Sequence, residues 1–251
     1  MNNEMWYVPK DIEAIPSPAL LLFKDRVEAN IQRLVEIAGD VNRLRPHVKT
    51  HKMTEVVKMH QAYGIQKLKC ATIAEAEMVA SCGVSDILLA YQPVGPNQAR
   101  LIALAEAYPR LQFGCLVDNE TVLRQLQQKM ETAVNPLNVW IDIDNGNGRT
   151  GIAPDEQAAN LAKQIVDSNN LNFAGLHVYD GQFGGLNFDE RKNGSDKAFK
   201  SVERLVKSLE QDGVAVENIV AGGSPTFPVH TLRQNVDLSP GTYIFWDAGY
   251  G

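Results

Sequence analysis

Residues 45–52, RPHVKTHK, contain the side chains that are best suited to catalysis in this sequence. Alternate side chains of a strand share a face, so Arg45, His47 and Lys49 are expected to point the same way. A buried lysine has a lowered pKa, and its neutral amine can attack a carbonyl to form a Schiff base. The pattern predicts a Schiff-base lysine at position 49, and a solvated basic loop is the alternative. The His47–His51 spacing resembles a helical metal pair, but at a strand end it carries little weight.

A glycine-rich segment at 221–226, AGGSPT, has the composition of a phosphate-binding loop. Glycines let backbone N–H groups approach an anion closely, and hydroxyl groups add donors. The candidate residues are Gly222, Gly223, Ser224 and Thr226, with Gly241, Thr242 and Tyr243 as a weaker second segment. A glycine turn that merely ends a strand is the alternative.

Two other loops supply a cation and an aromatic ring. Residues 142–151 form a glycine-rich loop in which Arg149 can direct a fixed positive charge at an anionic oxygen. In residues 177–182, Tyr179 can pack on an aromatic ligand, whereas His177 also fits a hydrogen-bonded core position. A Schiff-base lysine, a phosphate loop, a cation and an aromatic ring are together what pyridoxal phosphate (PLP) requires.

The elements that must position these residues alternate between short apolar runs and helical patterns, which is typical of a parallel α/β fold. The predicted strands are 19–23, 42–49, 67–71, 86–90, 111–117, 137–143, 172–178 and 216–221. The predicted helices are 25–38, 54–62, 73–82, 96–107, 120–130, 155–168 and 196–212. This pattern favours a (β/α)8 TIM-type barrel. An open doubly wound sheet is the alternative, but residues 24–26 lack the glycine-rich turn that usually follows its first strand.

The two ends of the chain do not fit the repeat. We expect residues 18–236 to form the barrel and residues 1–17 to be an N-terminal segment that pairs with a further domain. Residues 237–251 are aromatic and strand-like, and we expect them to begin a C-terminal β domain whose remainder is missing from this chain.

Composition narrows the class of partner. The net charge is -6 and no basic run occurs, which argues against nucleic acid as a partner. No apolar run is long enough to cross a membrane, and the first residues lack a signal-peptide pattern. The three cysteines, Cys70, Cys82 and Cys115, are expected to be reduced thiols. We therefore expect a cytoplasmic protein that binds a small molecule.

Residues 45–52 closely resemble the cofactor-lysine motif of the D-threonine aldolase and D-serine dehydratase family, which comprises alanine-racemase-like, fold type III PLP enzymes. The resemblance extends from PSPAL at 16–20 to PGTY at 240–243. It implies a PLP-binding barrel followed by a β domain. It also implies that Lys49 binds PLP, that Arg149 lies near the ring hydroxyl and that Tyr179 lies beside the ring. By the same resemblance, residues 222–226 are the phosphate loop and 241–243 a second phosphate-side segment; His47 is a further candidate in the cofactor site.

The resemblance implies a lyase that cleaves small β-hydroxy D-amino acids as a D-threonine aldolase does. It further implies a homodimer and a divalent metal, Zn²⁺ or Mn²⁺, held by ligands beyond Gly251. In many members of that family a histidine follows shortly after the matched tyrosine. This chain has QFGG at 182–185 instead. Because aldol cleavage needs a base for the hydroxyl group, this departure leaves alternatives open. They are a D-serine dehydratase, an amino-acid racemase and a non-catalytic PLP carrier.

Overall fold

A computed structural model describes residues 7–245 of the chain. Seven parallel strands form one sheet in the order of the sequence. They are β1 (Lys67–Cys70), β2 (Asp86–Leu89), β3 (Gln112–Val117), β4 (Leu137–Ile143), β5 (Leu171–Val178), β6 (Ile219–Ala221) and β7 (Val236–Leu238). Their residues are almost continuously buried, as expected for parallel strands that are covered on both faces.

The sheet closes into a ring through residues 44–47. Leu44 bridges to Leu238 of β7, and His47 bridges to Lys69 of β1, both in parallel orientation. Backbone hydrogen bonds of 2.8–2.9 Å support both seams. This segment therefore acts as the eighth member of the barrel, although it is too short and irregular to form a regular strand.

Eight helices accompany the strands in the described part of the chain. They are α1 (Lys24–Ala38), α2 (Thr54–Ala62), α3 (Ile73–Ser81), α4 (Pro96–Ala107), α5 (Glu120–Met130), α6 (Glu156–Val166), α7 (Phe188–Gln211) and α8 (Phe227–His230). The first seven correspond to the predicted helices. Helix α7 begins earlier than predicted because Asn187 and Glu190 form a capping box at its N-terminus.

The predicted parallel sheet with surrounding helices is confirmed, but two of the eight predicted strands are not regular strands. The predicted first strand at 19–23 is wrong, because these residues form no strand and Leu20 is 78% exposed. The predicted strand at 42–49 is two 3₁₀ turns, Val41–Arg43 and Val48–Thr50, around the bridging residues. An apolar run resembles a strand in sequence whether or not a neighbouring strand is available to pair with it.

The predicted boundary after residue 236 lies inside β7, which pairs with β6 and belongs to the barrel sheet. Residues 246–251 of the predicted C-terminal domain lie outside the described residues. Of the N-terminal segment, residues 7–17 are described; they form one 3₁₀ turn, Ile12–Ala14, and contribute no buried residue. Among the described residues, no helix combines the length and the apolar character needed to cross a membrane.

Charged side chains fill the barrel at the amino ends of its strands. Arg45 is 2% exposed and donates to Asp86 at 2.6 and 2.7 Å and to Asp237 at 3.1 Å. Lys67 donates to the second oxygen of Asp237 at 2.6 Å. A buried charge is costly unless it is paired, and here each carboxylate has at least one cationic partner.

Arg45→Met tests this cluster. The buried carboxylate of Asp237 and the partly buried carboxylate of Asp86 then lose their shared guanidinium partner, so we expect unfolding to become easier by about 3 kcal/mol. Urea denaturation of both proteins measures the difference. The control is Arg100→Met, which removes a surface pair with Glu77 and should cost at most about 1 kcal/mol. Equal effects of the two substitutions would show that the buried cluster adds no particular stability.

Candidate active site

A cavity of about 520 Å³ opens at the carboxyl ends of the strands. Its wall comes from residues that follow successive strands around the barrel, as in other enzymes of this architecture. They include Ala71, Ala90, Asp118, Arg149, Tyr179, Ser224 and Ser239. Eight of the predicted site residues line it: His47, Lys49, Arg149, Tyr179, Gly223, Ser224, Gly241 and Thr242.

Lys49 lies in the 3₁₀ turn Val48–Thr50, directly after the segment that closes the barrel. Its backbone N–H donates to Nδ1 of His47 at 3.2 Å, so the His47 side chain fixes the start of this turn. Partial burial, followed by the charge of Arg149, lowers the pKa of Lys49. The side chain reaches both the cavity and solvent. A neutral amine in this position is a nucleophile for a carbonyl group.

Arg149 and Tyr179 form one side of the cavity. The guanidinium carbon of Arg149 lies 4.5 Å from the centre of the Tyr179 ring, which is a cation–π distance. The loop that carries Arg149 is held by the carboxylate of Asp144, which accepts the N–H groups of Gly146 and Gly148 at 2.9 and 3.0 Å. Arg149 therefore lies in a hydrogen-bonded loop and packs against the ring of Tyr179.

Hydrogen-bond donors converge on Ser224. Its hydroxyl oxygen is within 3.2 Å of the Gly241 N–H, 2.8 Å of the Thr242 hydroxyl and 3.1 Å of the Tyr243 N–H. A hydroxyl oxygen has two lone pairs, so it cannot satisfy three donors fully. This excess of donors fits an anionic oxygen, and the predicted phosphate-binding segments 222–226 and 241–243 meet at this point.

Gly222, Thr226 and Tyr243 lie behind the cavity wall and not in it. The Gly223 N–H donates to the Thr226 hydroxyl at 3.1 Å, and that hydroxyl donates to Asp180. Gly222 has φ +84°, and a Cβ there would approach the His230 ring to 3.0 Å. Gly222 and Thr226 thus shape the loop from behind.

The Tyr243 side chain points into the core. Nδ1 of His60 lies 2.8 Å from the Val56 carbonyl and must carry its hydrogen, so Nε2 accepts the Tyr243 hydroxyl. Burial lowers the pKa of His60 to about 4 and raises that of Tyr243. Tyr243 therefore offers the cavity its backbone N–H and not its phenol.

Sequence reasoning missed Asp180, which anchors the loop from below. Asp180 is 0% exposed and accepts from Ser195 at 3.0 Å and from Nε2 of His230 at 2.8 Å, besides Thr226. Burial opposes its charge, but the hydrogen bonds from His230, Thr226 and Ser195 hold the pKa of Asp180 below its usual value. Asp180 is one residue from Tyr179, but nothing in the sequence shows that its side chain points inward.

Lys69, Asp142 and His177 form a second group that sequence reasoning did not connect. All three are buried and line the cavity. Nδ1 of His177 lies 2.6 Å from Asp142, and Nζ of Lys69 lies 3.3 Å from Nε2 of His177. The strand β1, KLKC, carried a signal: Lys67 and Lys69 alternate with buried residues, so both must point into the barrel.

The spacing of His47 and His51 does not create a metal site. His51 lies outside the cavity wall, with its ring 5.8 Å from that of His60. Within residues 7–245, no three His, Cys, Asp or Glu side chains are grouped so that they could hold a metal ion.

Residues 24–248 match the family model described as alanine racemase, N-terminal domain. The chain belongs to this family. Relatives of the alanine racemase N-terminal domain include a D-threonine aldolase of Arthrobacter sp, 30% identical over 94% of this chain and 63% of that protein. A 3-hydroxy-D-aspartate aldolase of Paracoccus denitrificans is also 30% identical, over 96% of this chain and 63% of that protein.

Solved structures agree on the fold of the alanine racemase N-terminal domain. The crystal structure of D-threonine aldolase from Filomicrobium marinum has a TM-score of 0.85 and 31% identity, over 94% of this chain and 64% of that chain. A D-threo-3-hydroxyaspartate dehydratase from Delftia sp. HT23 has a TM-score of 0.83, and at 22% identity it supports the fold alone, over 94% of this chain and 63% of that one. The chain thus spans less than two thirds of the length of these relatives.

Thr226→Val tests the anchoring of the loop. The substitution removes the acceptor of the Gly223 N–H and a donor to the buried Asp180, so we expect a loss of about 1–3 kcal/mol in unfolding free energy. Thr121→Val, on the exposed side of α5, is the control and should change stability by no more than about 0.5 kcal/mol. Urea denaturation gives both values, and a Thr226→Val protein as stable as the control would remove the anchoring role.

Proposed function

We propose that this chain is the PLP-binding barrel of a lyase that acts on small β-hydroxy D-amino acids and cleaves them as a D-threonine aldolase does. The observation that carries the proposal is that one cavity brings together the amine of Lys49, the cation of Arg149, the ring of Tyr179 and the donors around Ser224. The aldolase names of relatives at 30% identity support the same reading.

PLP, when bound, supplies an electron sink for the carbon that loses a bond. In this proposal the Lys49 amine holds its aldehyde carbon. The donors that converge on Ser224 hold its phosphate, since they fit an anionic oxygen. Arg149 holds the ring hydroxyl, and Tyr179 packs beside the ring. His47 keeps Lys49 in place by accepting its backbone N–H.

Arg149 gives the cavity wall a fixed positive charge, since a guanidinium stays protonated. The wall contains three basic side chains, Lys49, Lys69 and Arg149, against the two carboxylates of Asp118 and Asp142. Within an acidic chain of net charge -6, this cluster of three basic side chains suits an anionic ligand better than a cation. The divalent metal and the homodimer that the resemblance implies stay predictions, as does the cytoplasmic location that the composition suggests.

A D-serine dehydratase is the second candidate. Residues 182–185 carry no histidine, and relatives named D-serine dehydratase from Schizosaccharomyces pombe and Dictyostelium discoideum are each 24% identical to this chain. A racemase and a non-catalytic PLP carrier are the remaining alternatives, and the product assay below separates them.

Lys49→Ala tests the attachment of the cofactor. We expect the purified protein to show the yellow absorbance of lysine-bound PLP and the variant to lose it, because its side chain has no amine. Lys58→Ala, an exposed lysine on α2, is the control and should keep the absorbance. Borohydride reduction followed by peptide mapping should place the label on Lys49; a label elsewhere, or an unchanged Lys49→Ala spectrum, would remove Lys49 from this role.

The reaction itself is tested with D-threonine, D-serine and 3-hydroxy-D-aspartate, with and without added Zn²⁺ or Mn²⁺. Glycine plus an aldehyde identifies an aldolase, and this is the expected result. A 2-oxo acid plus ammonia identifies a dehydratase, and inversion of D-alanine identifies a racemase. Bound PLP with none of these products would favour the carrier. Lys49→Ala serves as the blank, since products that persist in it arise without the proposed site.

A further inference from the structure

Lys69 places a second amine in the cavity that contains Lys49. It is 3% exposed, and it lines the cavity together with Asp142 and His177. The inward lysine at the other end of the same strand, Lys67, is neutralised by Asp237 at 2.6 Å. Lys69 has no carboxylate within hydrogen-bond distance in the described structure; its Nζ lies 3.3 Å from Nε2 of His177.

The hydrogen bonds fix which atoms carry protons. A carboxylate can only accept, so Nδ1 of His177 donates to Asp142 over 2.6 Å. With Nδ1 protonated, Nε2 of the neutral ring must accept, and Lys69 is its donor. Lys69, His177 and Asp142 therefore form a chain in which the lysine nitrogen faces the cavity and the carboxylate lies at the far end. Catalytic triads share the order of nucleophile, imidazole and carboxylate, in which the carboxylate orients the imidazole and stabilises positive charge on it.

The surroundings of Lys69 bring its pKa close to neutral pH. Burial, then the charge of Lys49, lowers the pKa of Lys69 to about 7, and Asp142 opposes this while Arg45 and Arg149 add to it. The titratable and charged groups that face Lys69 are Arg45, His47, Lys49, Asp142, Arg149 and His177. A nitrogen that is neutral above pH 7 and charged below it suits general acid–base catalysis.

We propose that Lys69 is a second acid–base group of this active site, which accepts a proton from the bound β-hydroxy amino acid and returns it, with His177 and Asp142 stabilising the charged form. The inference rests on the proposed function. The step moves one proton: an O–H or C–H bond of the substrate breaks, and its electron pair stays with the substrate. The proton binds the lone pair of the Lys69 nitrogen, which becomes an ammonium group.

The ionisation of Lys69 is tested first, in the protein without PLP. NMR titration of the Lys69 Cε and Nζ resonances, assigned by their loss in Lys69→Met, should give a midpoint near 7. In Asp142→Asn the midpoint should fall, because a carboxylate that favours the ammonium form is lost; in Lys49→Met it should rise, because a repelling charge is lost. A midpoint near the ordinary lysine value of about 10.4 would overturn the proposal.

Kinetics then test the acid–base role. Lys69→Met should retain the yellow absorbance of lysine-bound PLP and lose about 100- to 10,000-fold in kcat, the usual contribution of such a group. Because the neutral amine is the active form, wild-type activity should fall as the pH drops below about 7, and Lys69→Met should lack this acid limb. Lys69→Arg should not restore activity, because a guanidinium does not release its proton. Rescue by arginine, or an unchanged acid limb, would reduce Lys69 to a fixed charge.

Lys67→Met controls for the loss of an inward lysine, and it should leave the pH profile unchanged because Lys67 lies outside the cavity wall. The outcomes separate the two proposals. A wild-type protein that binds no PLP contradicts the proposed function, whatever the Lys69 midpoint is. A yellow, active protein whose Lys69→Met variant has normal kcat contradicts the role of Lys69 alone.

Discussion

The structure depends on the four residues 44–47, which close the parallel sheet into a ring. Residues 44–47 join β7 to β1, and Lys49 follows two residues later. The 3₁₀ turn Val48–Thr50 ends this segment, and Lys49 within the turn lines the cavity. Because one short peptide both closes the ring and carries the candidate nucleophile, the position of Lys49 is set by the hydrogen bonds of the barrel itself.

The interior of this barrel is unusually charged, and its two charged layers differ in how they are compensated. At the amino ends of the strands, Arg45 and Lys67 meet two carboxylates at short distances, which makes a closed and stabilising cluster. At the carboxyl ends, the hydrogen-bond partner of Lys69 among the described residues is the imidazole of His177 and not a carboxylate. Fully paired charges stabilise the fold. A titratable group without an opposite charge in hydrogen-bond contact can change its protonation state more easily.

Local sequence patterns predicted the helices and selected residues that the structure brings together in one cavity. The helices follow from apolar periodicity and caps, and Lys49, Arg149 and Ser224 stand out because glycines and basic residues cluster around them. These patterns failed where pairing with a neighbouring strand determines whether a segment forms a strand. The apolar run at 19–23 has no strand beside it, whereas the three residues of β7 form a strand because β6 is adjacent. The chain from Lys69 to Asp142 joins three strands, so no sequence window contains it.

The convergence of donors on Ser224 has a consequence for the ends of the barrel. Ser224 follows β6, whereas Gly241, Thr242 and Tyr243 follow β7, so an anion held there would cross-link two separate loops. By mass action, a ligand that binds only the folded arrangement stabilises it. The stability of the folded protein would then rise with the concentration of that anion, because its binding ties together the loops that follow the last two strands of the sheet.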